Sequence, residues 1–198
     1  MRYRTFSLTA IWLLIGINVL LYIATSINSF INPSHQDLFE ALFGLIPASF
    51  LARPWTIATA LFIHANIWHI LGNMITLYFF GIYLCRLIGV RNSLIIYFAG
   101  GILGNILYIL LGPPNSIIIG ASGAIYALAG ALVIIIPNLR VLLYFIAPMP
   151  LWVVVLVFFV LWSIPGVIPD VAWQAHLGGL VFGLAAGYFF RKRGRYFL

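Results

Sequence analysis

The chain is short of charge. Only 7% of its 198 residues are Asp, Glu, Lys or Arg, and three are acidic: Asp37, Glu40 and Asp170. Paired carboxylates, the usual general acid and base of a hydrolase, have almost no material to be built from. Cysteine is scarcer still. Cys85 stands alone, which excludes an internal disulfide and a cysteine metal cluster and leaves it as a small apolar packing residue. Repeats and low-complexity tracts are missing too. Without an inverted repeat or paired charges in its apolar stretches, the chain does not read as a small transporter.

Apolar residues fill the space left by charge. They make up 64% of the sequence, and the mean hydropathy is +1.14. A soluble domain of this size has no interior large enough to hide them, so the chain reads as a multi-pass membrane protein. The expected fold is all-α, one polytopic bundle covering residues 1–198. The formal charge of +7 points to basic loops on the cytoplasmic side rather than to nucleic acid.

Six apolar spans follow in order: residues 8–27, 67–88, 93–111, 122–137, 150–164 and 173–190. The first is too long for a signal-peptide core and lacks an Ala-x-Ala site, so it reads as a retained helix. Residues 28–66 are too interrupted to span and too apolar for an aqueous loop. Short amphipathic helices lying in the membrane interface are expected there. With the N-terminus inside, Arg2, Arg4, Arg86, Arg91, Arg140, Arg191, Lys192, Arg193 and Arg195 fall on the cytoplasmic side. Only Arg53 and the three acidic residues fall outside. This is the positive-inside pattern, with both termini cytoplasmic. Trp55, Trp68, Trp152 and Trp173 sit at span ends, as interfacial anchors do. The basic C-terminal cluster suits contact with anionic membrane lipids.

Helix rise gives depth. Ser122 lies fifteen residues before Pro137 and His176 fifteen before Arg191, so each stands roughly 22 Å above the inner end of its span. Asn73 lies about 20 Å above Arg86, with His69 one turn higher. Four polar residues on three helices thus converge at one level, and ionisable residues inside spans usually mark a functional site. Gly179, Gly183 and Gly187 below His176 form a small face, as do Gly123, Ala127 and Gly130 or Ala131 below Ser122. Such faces let helices approach closely. Ser122 would then reach His176, the base a serine needs to become a nucleophile. His69, Asn73 and the Ser122 amide are candidate oxyanion donors. No carboxylate is at hand for a triad, so Tyr126 is expected to pack on His176 and orient it. His64 reads as a hydrogen-bonding brace near the outer surface. His64 and His69 share a face poorly and no carboxylate or cysteine lies at depth, so no metal or cofactor is expected.

His64-x4-His69-x3-Asn73, Gly120-x-Ser122-Gly123 with Tyr126, and Ala175-His176-x2-Gly179-x3-Gly183 resemble the rhomboid intramembrane serine proteases. The resemblance covers nearly the whole chain. It implies a six-helix bundle with a cavity open to the outer side, a Ser122–His176 dyad, oxyanion donors at His69, Asn73 and the Ser122 amide, and a supporting role for His64. Two positions depart from the family pattern: Trp55 is followed by Thr56 instead of Arg, and Gly81 is followed four residues later by Cys85 instead of Glu. Both concern loop and helix-end stability.

The expected activity is endoproteolysis of transmembrane protein substrates near the outer face, in a prokaryotic cell membrane. The alternative is a non-catalytic rhomboid-like protein that binds or chaperones transmembrane helices. Span five is short and bulky. With loop 165–172 it is expected to form a lateral gate for substrate, with Phe158, Phe159 and Trp162 at its seam.

Overall fold

The computed structural model describes residues 3–32, 38–143, 147–163 and 171–194. Helix α1 runs Tyr3–Ile31, beyond the expected end at residue 27. In its last turns the hydroxyls are satisfied inside the helix: Thr25 donates to the Tyr22 carbonyl at 2.8 Å and Ser29 to the Thr25 carbonyl at 3.0 Å. The interfacial segment is built from α2 (Leu38–Phe43), α3 (Thr56–Thr59) and two 3-10 turns, Pro47–Ser49 and Ala60–Phe62. It folds on itself through side chains that reach the last carbonyls of α2, groups a helix end leaves without partners. The Arg53 guanidinium donates to the Ala41 carbonyl. The Trp55 indole N–H donates to the Leu42 carbonyl at 3.1 Å, and the Thr59 hydroxyl to the Phe43 carbonyl at 2.8 Å.

Helix α4 (Ile67–Ile88) and α5 (Val90–Leu111) are separated by one residue, Gly89, whose φ of 85° closes α4 and opens α5. The amide of Asn92 and the hydroxyl of Ser93 donate to the carbonyls of Ile88 and Gly89, so α5 begins earlier than the expected residue 93. Helix α6 covers Ser122–Ile135. It stops short of Pro137 because the residue before a proline is pushed out of the helical region, and Ile136 stands at φ −129°, ψ 79°. Helices α7 (Leu151–Ser163) and α8 (Trp173–Lys192) complete the order. Among the described residues, three stretches are long and apolar enough to cross a membrane: Thr9–Ile31, Ile67–Ile88 and Val90–Leu111. The α6 helix is apolar but shorter.

The described residues are mostly helical, as expected, with one exception. Strands β1 (Arg140–Leu143) and β2 (Ala147–Pro150) pair antiparallel, with Arg140 opposite Pro150 and Leu143 opposite Ala147. Pro137 ends the helix, and Pro148 and Pro150 cannot donate to a ladder. A two-stranded ribbon tolerates them because both its strands are edges. The expected gate falls outside the described residues: 165–170 of its loop, and the side chains of Phe158, Phe159 and Trp162. Asp37 and Asp170 lie outside them too.

Helix α6 is the centre of the fold. Gly123 to Leu132 is buried throughout, with α5 and α8 against it. The α8 contact is backbone on backbone. A Cβ on Gly179 would overlap the Gly123 carbonyl oxygen, and one on Gly183 the Ala127 carbonyl oxygen. One turn further, a Cβ on Gly187 would stand 2.7 Å from the Ala131 carbonyl oxygen. Backbone cannot yield as a flexible side chain does. Gly179→Ala is therefore expected to cost about 1–3 kcal/mol in overpacking and to lower the thermal midpoint in detergent. Gly72→Ala, where a Cβ meets nothing within 4 Å, should leave the midpoint unchanged or raise it slightly. Equal midpoints for the two variants would mean that α6 and α8 are not in backbone contact.

Candidate functional site

Ser122 opens α6, and the residue that brings the chain to it is Gly120, with φ of 117°. Only glycine adopts that conformation cheaply. A Cβ there would lie 2.6 Å from His69 Nε2 and 3.6 Å from Asn73 Nδ2, so the backbone before Ser122 runs directly beneath both side chains. The strand-like approach is pinned on two sides. Ile118 and Leu45 exchange backbone hydrogen bonds of 2.8 and 3.0 Å, and the Gly120 N–H donates to the Ala60 carbonyl at 2.8 Å. Asn105 on α5 adds a bond of 2.8 Å to the Ile57 carbonyl.

Close packing of α6 on α8 then brings Ser122 to His176. The Ser122 Oγ lies 2.7 Å from His176 Nε2. The Tyr126 ring lies on the imidazole, centroids 4.6 Å apart and planes at 31°. His176 is 5% exposed. Gly123 and Gly179 are the contact that sets this distance, since the Gly123 carbonyl occupies the space where a Gly179 side chain would be.

Helix α4 supplies the other wall. Asn66 caps it, accepting the His69 N–H at 3.0 Å. The Ala65 N–H donates to His69 Nδ1 at 3.4 Å, which makes Nδ1 the acceptor and puts the ring proton on Nε2, the atom facing Gly120. Asn73 is 7% exposed and its Nδ2 has no hydrogen-bond partner. A buried donor left unmade is uncommon and costly. The first turn of α6 contributes further N–H groups that no carbonyl of the helix can reach. His64 meets His69 ring to ring, centroids 5.0 Å apart at 64°. Burial and the neighbouring His69 push its pKa down to about 3. Among the described residues no three His, Cys, Asp or Glu side chains come together as metal ligands.

All nine residues singled out in the sequence therefore meet in one region. The supporting contacts of Asn66, Ala65 and Asn105 were not anticipated. Asn66 had a readable signal, an Asn at the residue before an apolar helical run; the other two depend on tertiary placement.

A rhomboid-domain profile matches residues 51–193, which takes in every one of these side chains. The chain belongs to the rhomboid family. It is 31% identical over 174 residues to RHOMBOID-like protein 1 of Arabidopsis thaliana, covering 85% of this chain and 43% of that one. It is 28% identical over 162 residues to the mitochondrial Rhomboid protein 1 of Saccharomyces cerevisiae, covering 75% and 45%. Against the Rhomboid protease GluP of Bacillus subtilis it is 28% identical over 180 residues, covering 90% and 34%. The chain thus spans less than half the length of each of these relatives. Family membership and the apolar helices together make this rhomboid an integral membrane protein.

Gly120 is the residue on which the site's geometry tests most simply. In Gly120→Ala a Cβ is forced against His69 in a strained backbone conformation, worth about 1–3 kcal/mol. The expected outcome is a lowered thermal midpoint together with a shifted His69 ring resonance. A variant with an unmoved His69 signal would mean the loop does not contact that ring.

Proposed function

We propose that this rhomboid is an intramembrane serine endopeptidase acting on transmembrane segments of other proteins. The observation that carries the reading is the 2.7 Å contact between Ser122 Oγ and His176 Nε2, supported by donors gathered on the opposite wall. The similarity to the Rhomboid protease GluP agrees with it.

Ser122 O–H donates to the His176 Nε2 lone pair. As Oγ attacks the scissile carbonyl carbon, the proton passes to Nε2 and the carbonyl π pair becomes an oxyanion. His69 Nε2–H, Asn73 Nδ2–H and the Ser122 N–H take up that charge. Collapse of the tetrahedral intermediate breaks the C–N bond. His176 returns its proton to the leaving amine, and an acyl-enzyme remains on Ser122. Water, deprotonated by His176, then repeats the sequence and frees the serine. Tyr126 does the orienting work that a carboxylate does in a triad. Preferred substrates carry small residues at the cut and Gly or Pro nearby, since these lower the cost of unwinding a helix. The basic residues keep both termini on the cytoplasmic side of a six-span bundle.

Cleavage of a transmembrane reporter by purified protein tests the dyad. Ser122→Ala and His176→Ala should each abolish it, and the double variant should be no worse than either, because residues acting as a unit are not additive. Substantial cleavage by either single variant overturns the assignment. Inactivity of the unaltered chain with helix binding intact would favour the chaperone-like reading.

Asn73→Ala should lower kcat by about 10²-fold while KM changes little, because an oxyanion donor acts on charge that develops only in the transition state. A rise in KM at unchanged kcat would assign Asn73 to substrate binding.

A further inference from the structure

The end of the bundle remote from Ser122 gathers cations. Arg86 lies in the last turn of α4, Arg91 in the first turn of α5, Arg140 opens β1, and Arg191, Lys192 and Arg193 stand at the end of α8. All of them are exposed. Among the described residues Glu40 is the one carboxylate, and it lies in α2, in the interfacial segment. Two of the cations are held in place. The Arg191 guanidinium donates to the Ile134 carbonyl at 3.2 Å, one of the last carbonyls of α6, which the helix leaves without a partner. It keeps further N–H donors for a ligand. The Arg193 guanidinium lies 4.1 Å above the Phe189 ring.

The β1–β2 hairpin leaves this same end of α6. The chain reaches Arg140 through a turn in which the Leu139 N–H donates to the Ile136 carbonyl at 3.0 Å, and the Leu151 N–H closes the hairpin on the Leu139 carbonyl at 2.8 Å. Val141 packs against the hydrophobic core. Strand alternation puts Arg140 and Leu142 on the opposite face. Leu142 is 58% exposed, and Pro148, its partner across the ladder, is exposed too. Length decides what this apolar face meets. Helix α6 has 14 residues, about 21 Å, against a hydrocarbon layer of about 30 Å. A hairpin leaving so short a helix emerges at the membrane boundary, not out in water. Trp152, just beyond the hairpin, and Tyr188 and Phe189 at the end of α8 are exposed, as aromatic residues at a membrane interface are.

We propose that the exposed face of the hairpin and the end of α8 bind an anionic phospholipid. Arg140 and Arg191 take the phosphodiester, for which a guanidinium offers a planar fork of donors. Leu142 and Pro148 lie against the acyl chains. The C-terminal cluster alone would attract anionic lipids diffusely; the hairpin adds an apolar surface beside fixed cations, and so a place for one lipid. An acidic protein would be matched by the arginines but not by Leu142 and Pro148 at the membrane boundary.

Native mass spectrometry of the full chain in detergent measures the binding, with phosphatidylglycerol and phosphatidylcholine of the same acyl chains as probes. The expected result is one saturable phosphatidylglycerol, preferred about tenfold or more, since each arginine near a membrane surface is worth about fivefold toward an anionic lipid. Arg140→Gln should weaken phosphatidylglycerol about fivefold and leave phosphatidylcholine unmoved, and Arg140→Lys should restore most of the loss. Leu142→Ser should weaken both lipids alike. Arg91→Gln neutralises a cation of the same end on a helix that the hairpin does not join, and should change neither. Equal affinity for the two lipids overturns the proposal. So does a loss in Arg91→Gln as large as that in Arg140→Gln, because the charge would then act only as a diffuse field. A dimer that Arg140→Gln dissociates also overturns it, by placing a second copy of the chain on this face. If Arg140→Gln does not fold, the lipid comparison on the unaltered chain and Leu142→Ser decide the question.

Discussion

The site of this rhomboid depends on two backbones touching. Ser and His have short side chains for a pair of residues held on separate helices, and a 2.7 Å contact between them is possible only if α6 and α8 come closer than ordinary side chains allow. Glycine at 179, 183 and 187 removes the obstruction, and the carbonyls of Gly123, Ala127 and Ala131 fill the space. In a membrane no hydrophobic driving force distinguishes protein from lipid, so such contacts are held by dispersion between well-fitted surfaces. The periodicity of glycine in α8 is therefore a statement about the position of His176 as much as about packing.

A second constraint acts across the first. Gly120 carries the chain into α6 with a backbone no other residue adopts at low cost, and in doing so lays it against His69 and Asn73. That path is enforced from the interfacial segment, through Leu45, Ala60 and the Asn105 bond to Ile57. The segment in turn is held by Arg53, Trp55 and Thr59 on the carbonyls of α2. The sequence raised doubt about loop stability because Trp55 is not followed by Arg. Here Arg53, two residues earlier, reaches the α2 carbonyls beside Trp55.

What could be read from the sequence follows from which physics is local. Helix period and rise placed Ser122, His176, His69 and Asn73 at one depth, because each of their helices ends at a marker visible in the chain: Pro137, Arg191 or Arg86. Small residues at three- and four-residue spacing announced the α6–α8 contact. The hairpin of residues 140–150 was not readable. Its strands are four residues long, and prolines at 148 and 150 argue locally against any strand. Nor was the positive φ of Gly120 readable as a contact with His69, since a glycine before a helix start has many uses. The Ala65 bond that fixes the His69 tautomer is invisible for a similar reason: every residue has an N–H, and only the fold decides where it points.

The unpaired donor at Asn73 connects stability to function. A buried amide N–H without an acceptor costs about 1–3 kcal/mol, and the structure retains one at Nδ2, beside a His69 whose own proton faces the same small volume. Core polar groups elsewhere in the chain show that an amide can be satisfied: Asn105 finds Ile57 and Gln174 finds Leu111. The difference lies in what stands opposite. Asn105 and Gln174 face fixed carbonyls, whereas Asn73 faces Gly120 and the start of α6, where backbone N–H groups are donors too. Donors collected against donors have no mutual use in the resting protein. In the reaction proposed above they become favourable when negative charge develops between them, and the backbone contact of α6 with α8 helps to hold them together.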